Sequence, residues 1–396
     1  MSIEQLLQRH YGAALAVITA KFNDLDLAEE CLQDAAVKAI ENWHESQPDN
    51  PTAWLIRVAQ NAAIDRFRKT GRQETSQLDL FFAQDDEQPL IQEDAVLQLI
   101  FMCCHPALTP EQQVAMTLKL VMGFSNNEIA KSFIIPEKTL EQRITRAKKK
   151  IRSTGIALSL PGESRLKIRL PSVLQVLYLI FNEGYHSQSA DNVLNRRLCT
   201  QAISLLRITT RIYRSEADCY ALLALMLFID ARSPARGVDE IITLEEQDRS
   251  RWDKNQILQA DVLLKKSLKL GKVSSYTIQA AISGVHSMAE SFAATDWLEI
   301  NLLYDKLMQY QPGPVVMLNK AVSHLMLDED EKAFSLIESC RQNLSSYTAF
   351  YATEALYYRQ LEQFEMANNS LNIAIELSDS PIEIAYFKQK QALLHS

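Results

Sequence analysis

The sequence predicts an all-α fold with several helical domains. The chain of 396 residues contains only 10 Gly and 12 Pro, too few for a protein rich in turns and strands. Apolar side chains recur at intervals of three and four along most of its length, as on one face of an α-helix. We therefore expect two small helical domains, the second a helix-turn-helix, with a flexible acidic linker between them and a long helical C-terminal domain after them.

Residues 1–70 are expected to form the first domain, with three amphipathic helices. Two stretches of apolar residues at helical spacing are separated between Asn23 and Asp26, and Ile40 belongs to the predicted buried face of the second. A third helix is predicted to begin at Asn50, a capping residue that proline follows in the first turn.

The third helix carries a row of polar residues opposite its apolar side. Spacings of four, four and three place them on one face, and they are Arg57, Asn61, Asp65 and Arg68. A solvated helix surface and a nucleic-acid contact both explain such a row, and the spacing alone does not choose between them.

Residues 71–92 are predicted to be the flexible acidic linker. No Lys or Arg occurs between Arg72 and Lys119, whereas Asp and Glu accumulate there within a Gln-rich stretch. A segment of this composition buries too little apolar surface to fold by itself.

Residues 93–155 are predicted to contain the helix-turn-helix. Ser125 stands three residues before Glu128, the spacing of a capping box, and opens a short helix. After a break at residues 134–136, a second helix is expected to bury one residue in each turn, namely Leu140, Ile144, Ala147 and Ile151. Two short helices of which the second is basic are typical of DNA-binding proteins.

A basic island surrounds this second helix in an otherwise acidic chain. Residues 131–170 contain eleven Lys and Arg but three Asp and Glu, whereas the whole chain has a net charge of -8. A helix fits the major groove of DNA, where Arg and Gln reach base edges and flanking cations neutralise phosphates. A basic helix that docks on acidic protein is the other interpretation.

Both N-terminal domains resemble the extracytoplasmic-function (ECF) sigma factors of bacterial RNA polymerase, in the sigma-70 family. The segments that carry the resemblance are DLAEECLQDAAVKAIENW, PTAWLIRVAQNAAIDRFRK and the helix-turn-helix. The resemblance implies that the protein confers promoter recognition and transcription initiation on core RNA polymerase. It also implies two partners, which are promoter DNA and the core enzyme with its clamp helices and flap.

The resemblance further implies roles for individual residues. The polymerase clamp would be contacted by Glu30, Gln33 and Asp34. The -10 strand would be supported or contacted by Trp54, Arg57, Asn61, Asp65, Arg66, Arg68 and Lys69. The -35 element or its phosphates would be read by Lys138, Thr139, Gln142, Arg143, Arg146 and Lys148.

Residues 156–396 resemble the C-terminal extension of those sigma factors that carry a helical, tetratricopeptide-like (TPR-like) domain, which implies a part in regulation. The residues themselves indicate TPR-like repeats near 312–380, because Ala321 and Ala355 are 34 positions apart, the repeat length of that fold. Two repeats are fewer than a free-standing array needs, so they are expected to pack on the helices before them.

Polar residues interrupt the apolar stretches of the extension, and two interpretations stay open. One is a network of helix caps and buried ion pairs that fixes the order of the helices. The other is a pocket for a protein or small-ligand regulator, formed by Asn182, Glu183, Tyr185, Asp248, Arg249, Trp252, Asp296 and Trp297.

Several function classes are not indicated. A glycine-rich phosphate loop, a nucleophile elbow and H-E-x-x-H spacing do not occur, so neither an enzyme nor a cofactor is expected. The six Cys form no C-x-x-C pair and no cluster with His, so no metal site is expected. Because no secretory signal and no apolar stretch of about 20 residues occur, we expect a cytoplasmic protein without membrane contact.

Two other functions remain open beside the sigma factor. A TPR-like interaction scaffold would recruit a protein partner while the N-terminal helices tether it, and it would give no transcript with purified core polymerase. An ordinary helix-turn-helix transcriptional regulator would bind its promoter tightly without polymerase.

Overall fold

The computed structural model describes residues 3–44, 47–69, 88–133, 135–155, 162–186, 192–237 and 240–394, and within them every regular element is helical. The predicted all-α fold is confirmed. The first nine helices are α1 (Ile3–Phe22), α2 (Leu25–Asn42), α3 (Pro51–Lys69), α4 (Gln88–Cys103), α5 (Pro110–Met116), α6 (Asn126–Ser132), α7 (Glu137–Thr154), α8 (Glu163–His186) and α9 (Asn192–Ile212). The others are α10 (Ala217–Asp230), α11 (Lys254–Lys269), α12 (Ser275–Met288), α13 (Trp297–Tyr310), α14 (Pro314–Leu325), α15 (Asp330–Cys340), α16 (Thr348–Gln360), α17 (Phe364–Leu377) and α18 (Pro381–Ala392).

Packing divides the chain into two units. Unit 1 comprises Met1–Ser189 with Val193–Thr209, and unit 2 comprises Ala190–Asn192 with Thr210–Ser396. Unit 1 therefore contains both predicted N-terminal domains together with α8 and most of α9 from the extension. The domain boundaries proposed from the sequence remain predictions.

The first three helices begin where the sequence predicts. Asp24 caps α2 by accepting from the amide of Leu27 at 3.0 Å, and Asn50 caps α3 by accepting from the amide of Ala53 at 3.1 Å. The expectation for Ile40 is wrong, because this side chain is 46% exposed. The buried stripe of α2 follows residues 28, 32, 35 and 39, and the next residue is rotated about 100° around the helix from the last of these.

Helix α4 begins earlier than the predicted linker ends. It starts at Gln88, so residues 88–92 are helical, whereas residues 71–87 of the predicted linker lie outside the described part of the chain. Pro89 occupies the second helical position, where a missing backbone N–H costs nothing because that group has no partner within the helix. From Leu97 to Cys103 every apolar residue of α4 is buried.

The two predicted N-terminal domains pack against each other within unit 1. Helix α1 approaches the π-helical turn Thr117–Val121, which follows α5. A Cβ added at Gly12 would lie 1.7 Å from the carbonyl oxygen of Val121. Glycine at this position therefore permits backbone contact between the domains, which any side chain would prevent.

Two helix pairs of unit 2 start at positions related by the 34-residue period noted in the sequence, while the repeat boundaries remain predictions. Helices α14 and α15 begin at Pro314 and Asp330, and α16 and α17 begin 34 positions later, at Thr348 and Phe364. The small residues at the crossings of the paired helices are buried, namely Ala321, Ala333, Ala355 and Ala367. The repeats also pack on the preceding helix, where Asn301 of α13 donates to the hydroxyl of Ser323 at 2.8 Å.

Candidate nucleic-acid interface

The helix-turn-helix is organised by a reciprocal cap at the start of α6. The hydroxyl of Ser125 accepts from the amide of Glu128 at 3.2 Å, and the carboxylate of Glu128 accepts from the amide of Ser125 at 2.7 Å. The predicted capping box is confirmed, and it satisfies two backbone donors that the helix itself leaves unpaired. Helix α7 ends at Gly155, whose φ of 60° lies in the left-handed region that favours glycine. Of the predicted break, Ile134 lies outside the described residues.

Helix α7 presents opposite faces to the core and to solvent. Its four predicted apolar residues, at 140, 144, 147 and 151, are all buried, as expected. On the other side Lys138, Gln142 and Arg146 are exposed, and Thr139 and Arg143 are partly exposed. The accessible face thus offers donors and acceptors that suit base edges and phosphates.

Lys148 differs from the other five predicted -35 residues. Its ammonium group forms an ion pair with Glu29 of α2, and its side chain is only 22% exposed. One turn further on, Arg152 pairs with Asp26 at 2.8 Å. The C-terminal half of α7 is therefore engaged by the first domain.

The predicted polymerase contacts form one exposed strip of α2. Glu30, Gln33 and Asp34 are exposed, and the same face continues into Val37 and Ile40, which are 56% and 46% exposed. Sequence reasoning missed the two apolar members. The signal was present, because residues 30, 33, 37 and 40 follow the three- and four-residue spacing of one helix face.

Arg66 of α3 lies beside this strip, away from the polar row of its own helix. Its guanidinium donates to Glu30 at 2.5 Å and to Asp34 at 2.9 Å. Arg66 therefore fixes the orientation of two of the three predicted clamp contacts, a role that the sequence did not reveal.

The predicted -10 row of α3 faces solvent. Arg57, Asn61, Asp65 and Arg68 are all exposed, and Asp65 lies 3.7 Å from Arg68. Trp54 is half-buried and packs edge-on against Trp43 with ring centroids 5.3 Å apart. Trp54 thus packs on the side of α3 away from the exposed row. The side chain of Lys69 lies outside the described residues.

The eight residues proposed for an extension pocket do not line one cavity. Asn182 and Glu183 line a cavity of about 420 Å³ in unit 1 with residues of the helix-turn-helix, including Phe133 and Arg143. Burial raises the pKa of Glu183. Tyr185 stacks on Phe181 with ring centroids 6.0 Å apart.

The remaining five residues lie in unit 2, and most of them have the contacts of helix caps or core supports. Asp248 caps a short 3₁₀ turn, and Asp296 caps α13. The guanidinium of Arg249 donates to the carbonyl oxygens of His286 and Ala289 at 2.8 and 2.7 Å. It also lies 4.5 Å from the ring centroid of Trp252, which is buried.

Trp297 alone of these eight lines the large cavity of unit 2. That cavity has a volume of about 680 Å³ and an aromatic wall that includes Trp297, Tyr304 and Tyr386. Its charged lining includes Lys390, which pairs with Glu246 at 2.8 Å. Arg359 also lines it, is exposed, and has no ion pair within the described residues.

His286 contributes a neutral imidazole to the same cavity. Burial, together with Arg232 and Arg249, lowers the pKa of His286 to about 3. Its ring packs edge-on against Trp297 at 5.3 Å, and its Nδ1 is buried without a hydrogen-bond partner among the described residues.

Among the described residues, neither a metal-binding cluster nor a reactive thiol indicates a further site. In the part of the chain that the structure describes, no three residues among His, Cys, Asp and Glu are placed to hold a metal ion. All six Cys are free and buried, and burial raises the pKa of Cys104 to about 12. Within the same residues, no helix combines the length and apolar character that crossing a bilayer requires.

Comparison with protein families places three matches along the chain. Residues 6–73 match sigma-70 region 2, residues 98–151 match sigma-70 region 4, and residues 169–268 match a family of unknown function. The first two matches coincide with α1–α3 and with the helix-turn-helix module. The third begins in α8 and ends in α11.

Individual relatives differ in how much of the chain they cover. An uncharacterized protein of Rhizobium meliloti is 34% identical over 389 residues, which cover 95% of this chain and 92% of that protein. The ECF RNA polymerase sigma factor SigM of Mycobacterium tuberculosis is 26% identical over 153 residues, which cover 38% of this chain and 75% of SigM. The ECF RNA polymerase sigma factor SigE of Mycolicibacterium smegmatis is 24% identical over 155 residues, or 38% of this chain and 60% of SigE.

Proposed function

Because the chain belongs to the ECF RNA polymerase sigma factors of the sigma-70 family and carries a long helical C-terminal extension, we propose that α2, α3 and α7 divide promoter recognition among them. Sigma-70 factors bind core RNA polymerase and promoter DNA. The polymerase carries out the bond-making step, and we assign no catalytic step to this chain. We place this function in the cytoplasm, where the core enzyme binds promoter DNA.

Helix α7 reads the -35 element. The observation that carries this role is the exposure of Lys138, Gln142 and Arg146 opposite a completely buried apolar stripe. Arg forms paired hydrogen bonds with guanine and Gln with adenine in the major groove. Thr139 and Arg143 complete the set at the edge of this face, and Lys148 joins it when its pair with Glu29 opens.

Helix α3 holds the separated -10 strand. A separated strand needs a track of positive charge for its phosphates and polar groups for its unstacked bases. Arg57 and Arg68 supply the charge, and Asn61 and Asp65 supply hydrogen-bonding groups on the same exposed row. Trp54 supports this row through its contact with Trp43, and Lys69 extends it.

Helix α2 binds the polymerase clamp through its exposed strip. Glu30 and Asp34 supply charge in an orientation that Arg66 fixes, and Gln33 lies between them. Val37 adds apolar surface, which contributes more binding free energy at the centre of an interface than a charge does at its rim. Replacement of Val37 by Asp is therefore expected to weaken binding of the core enzyme.

Run-off transcription with core polymerase tests the assignment, after the bound promoters have been mapped by sequencing. Arg146→Ala should weaken promoter use by about 1–3 kcal/mol for each lost base contact, or roughly 5- to 150-fold. Lys269→Ala removes the same charge from an exposed position in unit 2 and should leave transcription unchanged. Equal losses in both variants would contradict the role of α7.

The same assay separates the sigma factor from the alternatives. A TPR-like scaffold yields no transcript with any promoter, whatever the variant. An ordinary helix-turn-helix regulator binds duplex promoter DNA tightly in gel shifts without polymerase. A sigma factor should bind free duplex weakly, since the protein has a net charge of -8 and DNA repels its acidic bulk.

We further propose that the extension receives a regulator in the large cavity of unit 2. A volume of about 680 Å³ lies within the range of ligand sites, which are mostly apolar with a few polar groups. The aromatic wall with Trp297 suits an apolar or aromatic side chain, and Arg359 suits a carboxylate. The expected regulator is therefore a peptide segment with an aromatic and an acidic residue.

Selection from a randomised peptide library tests this second role. Peptides that bind the wild-type protein should be enriched in aromatic and acidic residues, and Arg359→Glu should weaken their binding at least about tenfold through like-charge repulsion. Lys269→Ala is the control. Enrichment without an acidic residue, or binding that survives Arg359→Glu, would contradict the assignment.

A further inference from the structure

The cavity of about 420 Å³ in unit 1 has a floor of buried apolar side chains. Val114 of α5, Ile129 of α6 and Leu140 of α7 line it, and each is at most 7% exposed. Leu179 of α8 lies at the same cavity and is 40% exposed. Because ligand sites of this volume are mostly apolar with a few polar groups, the cavity suits a small molecule.

The polar lining of this cavity comes from three helices. Leu179, Asn182 and Glu183 are separated by three and four positions, so one face of α8 carries all three. Arg143 of α7 and Glu111 of α5 also line the cavity. An apolar floor is thus combined with side chains of both charges.

The polar side chains at the cavity keep unused hydrogen-bonding groups. Within the described residues, the side chains of Asn182, Glu183 and Arg143 form neither a hydrogen bond nor an ion pair. Burial raises the pKa of Glu183, as expected for a carboxyl group held partly away from water. Since polar groups removed from water are normally hydrogen-bonded, three unpaired groups around one apolar cavity indicate a ligand.

Glu111 is less suited than Glu183 to bind a ligand cation. A hydrogen bond with Thr109 is the main cause that lowers the pKa of Glu111, and Arg143 adds to the shift. Glu111 is exposed, so water and salt screen its charge. The half-buried Glu183 lies in a medium of lower dielectric constant, where an opposite charge is attracted more strongly.

The unpaired groups define the chemistry of the ligand. A carboxylate such as that of Glu183 binds an ammonium group, and the guanidinium of Arg143 binds a carboxylate, often through two parallel hydrogen bonds. Asn182 supplies both a donor and an acceptor. The apolar floor favours a hydrocarbon or aromatic side chain. An amino acid with a large apolar side chain meets all of these requirements in one small molecule.

We propose that this cavity binds a free apolar amino acid, such as phenylalanine, and that the amino acid competes with promoter DNA for Arg143. The competition rests on the role in -35 recognition proposed above for α7, whereas the binding site does not. A guanidinium that holds the ligand carboxylate is not available to a base or a phosphate. Because coupling between two ligands is reciprocal, promoter DNA also weakens binding of the amino acid by the same factor.

Calorimetric titration of the full-length protein with three compounds tests the site. Phenylalanine carries both charges, phenethylamine lacks the carboxylate, and hydrocinnamate lacks the ammonium group. Phenylalanine should bind at least about tenfold more tightly than either analogue, since a hydrogen bond between charged groups changes an equilibrium by about that factor or more. Equal affinity for the three compounds, or binding of none, would overturn the site.

Matched variants place the ammonium group beside Glu183. Glu183→Gln removes the charge but keeps the shape of the side chain, so it should weaken phenylalanine binding by about tenfold or more without weakening hydrocinnamate binding. Glu376→Gln removes the same charge from an exposed position of α17 and should change neither affinity. Denaturant unfolding of Glu183→Gln should match the wild type, because no ion pair is lost. Phenylalanine binding that survives Glu183→Gln would contradict the assignment.

Arg143→Gln tests the other end of the ligand. It should weaken binding of phenylalanine and hydrocinnamate, which carry a carboxylate, and leave binding of phenethylamine unchanged. Equal weakening of all three compounds would show that Arg143 supports the shape of the cavity and does not bind the carboxylate.

Run-off transcription with core polymerase tests the competition. Saturating phenylalanine should raise the protein concentration that gives half-maximal transcript by about fivefold or more, the effect of one lost base contact. The same addition should have no effect in Glu183→Gln. Transcription by the wild type that ignores bound phenylalanine would overturn the competition.

Failure of this proposal is distinguishable from failure of the sigma-factor function. If phenylalanine binds as expected but no protein yields a transcript, the sigma-factor function fails and the site stands. If transcription is normal but phenylalanine does not bind, the site fails and the function stands.

Discussion

Unit 1 and unit 2 are stabilised by different kinds of contact. The two N-terminal domains of unit 1 meet at a junction of ion pairs such as Lys148 with Glu29, and Arg197 of α9 pairs with Glu128 of α6 at 2.8 Å. The repeats of unit 2 meet at buried alanines and at the apolar core around Phe350. Salt and competing charges weaken the first kind of contact, whereas they leave apolar burial almost unchanged.

Buried polar groups without a partner do not distinguish the two units. In unit 2 the carboxylate of Glu354 is buried, and it accepts from Arg341 at 2.5 Å and from the hydroxyl of Ser370 at 2.6 Å. Nη2 of Arg249 in unit 2 and Nη2 of Arg197 in unit 1 are both buried without a hydrogen-bond partner among the described residues. The difference between the units therefore lies in the kind of contact between their helices, and not in how completely their buried groups are paired.

Removal of an aromatic ring from unit 2 should give the largest effect. Phe350→Ala is expected to reduce the free energy of unfolding by about 3–5 kcal/mol, because the ring is fully buried and packs on Tyr351 at 5.1 Å. Hydrogen exchange should show loss of protection in α14–α17. Helices of unit 1 serve as the internal reference, and an equal loss there would show that the effect is not confined to the core around Phe350.

Much of the fold was predictable because its signals are local. The capping box at Ser125 and the buried stripe of α7 depend on residues within a few turns of one another, and the repeats are marked by small residues at a fixed separation of 34 positions. Ile40 was misplaced because apolar character alone does not fix the side of a helix on which a residue lies. The position of that side depends on which neighbours pack against α2.

The site was predictable only in its exposed part. The polar row of α3 and the outer face of α7 follow from helical spacing, so residues such as Asn61 and Gln142 were found. Hydrogen bonds from Arg197 to Gln8 and Glu128 join residues 189 and 69 positions apart, and no local pattern reports such distances. Asp248 and Asp296 resembled pocket residues because a capping carboxylate and a ligand-binding carboxylate look alike in sequence.

The buried imidazole of unit 2 should make its stability depend on pH. The pKa of His286 is lowered to about 3, so between that value and about 6.5 the unfolded chain binds a proton that the folded chain does not. Stability should therefore fall as pH decreases below about 6.5, by up to about 1.4 kcal/mol for each pH unit. Denaturant unfolding at pH 7 and pH 5 measures this loss.

A non-titrating variant isolates the contribution of that imidazole. His286→Phe keeps an aromatic ring beside Trp297 and leaves all other titrating groups in place. The difference in free energy of unfolding between wild type and variant should shrink, or reverse in favour of the variant, as pH falls. A constant difference between pH 7 and pH 5 would show that His286 does not titrate with the assigned pKa.

Loss of a helix cap should have a smaller effect, of about 1 kcal/mol in either unit. Ser125→Ala removes the cap of α6, and Ser380→Ala removes the corresponding hydroxyl from α18. Both should lower stability to denaturant. Ser125→Ala keeps the backbone amide that donates to the carboxylate of Glu128, so hydrogen exchange should show lost protection in α6 for this variant and in α18 for Ser380→Ala. Lost protection of α6 in Ser380→Ala would contradict this distinction.

The smallest effect is expected from the outer ion pair of the junction. Arg152 and Asp26 are largely exposed, so Arg152→Ala should change stability by at most about 1 kcal/mol. Lys265→Ala breaks a comparable exposed pair with Asp261 inside unit 2. With dyes attached to Lys38→Cys in α2 and Lys149→Cys in α7, both exposed positions, added salt should reduce energy transfer in the otherwise wild-type protein, since the Debye length falls from about 10 Å at 0.1 M to about 3 Å at 1 M. That salt response should be weaker in Arg152→Ala, which already lacks the pair, and unchanged in Lys265→Ala. Energy transfer that is insensitive to salt in all three proteins would show that the close backbone contact at Gly12, rather than charge, holds the two N-terminal domains together.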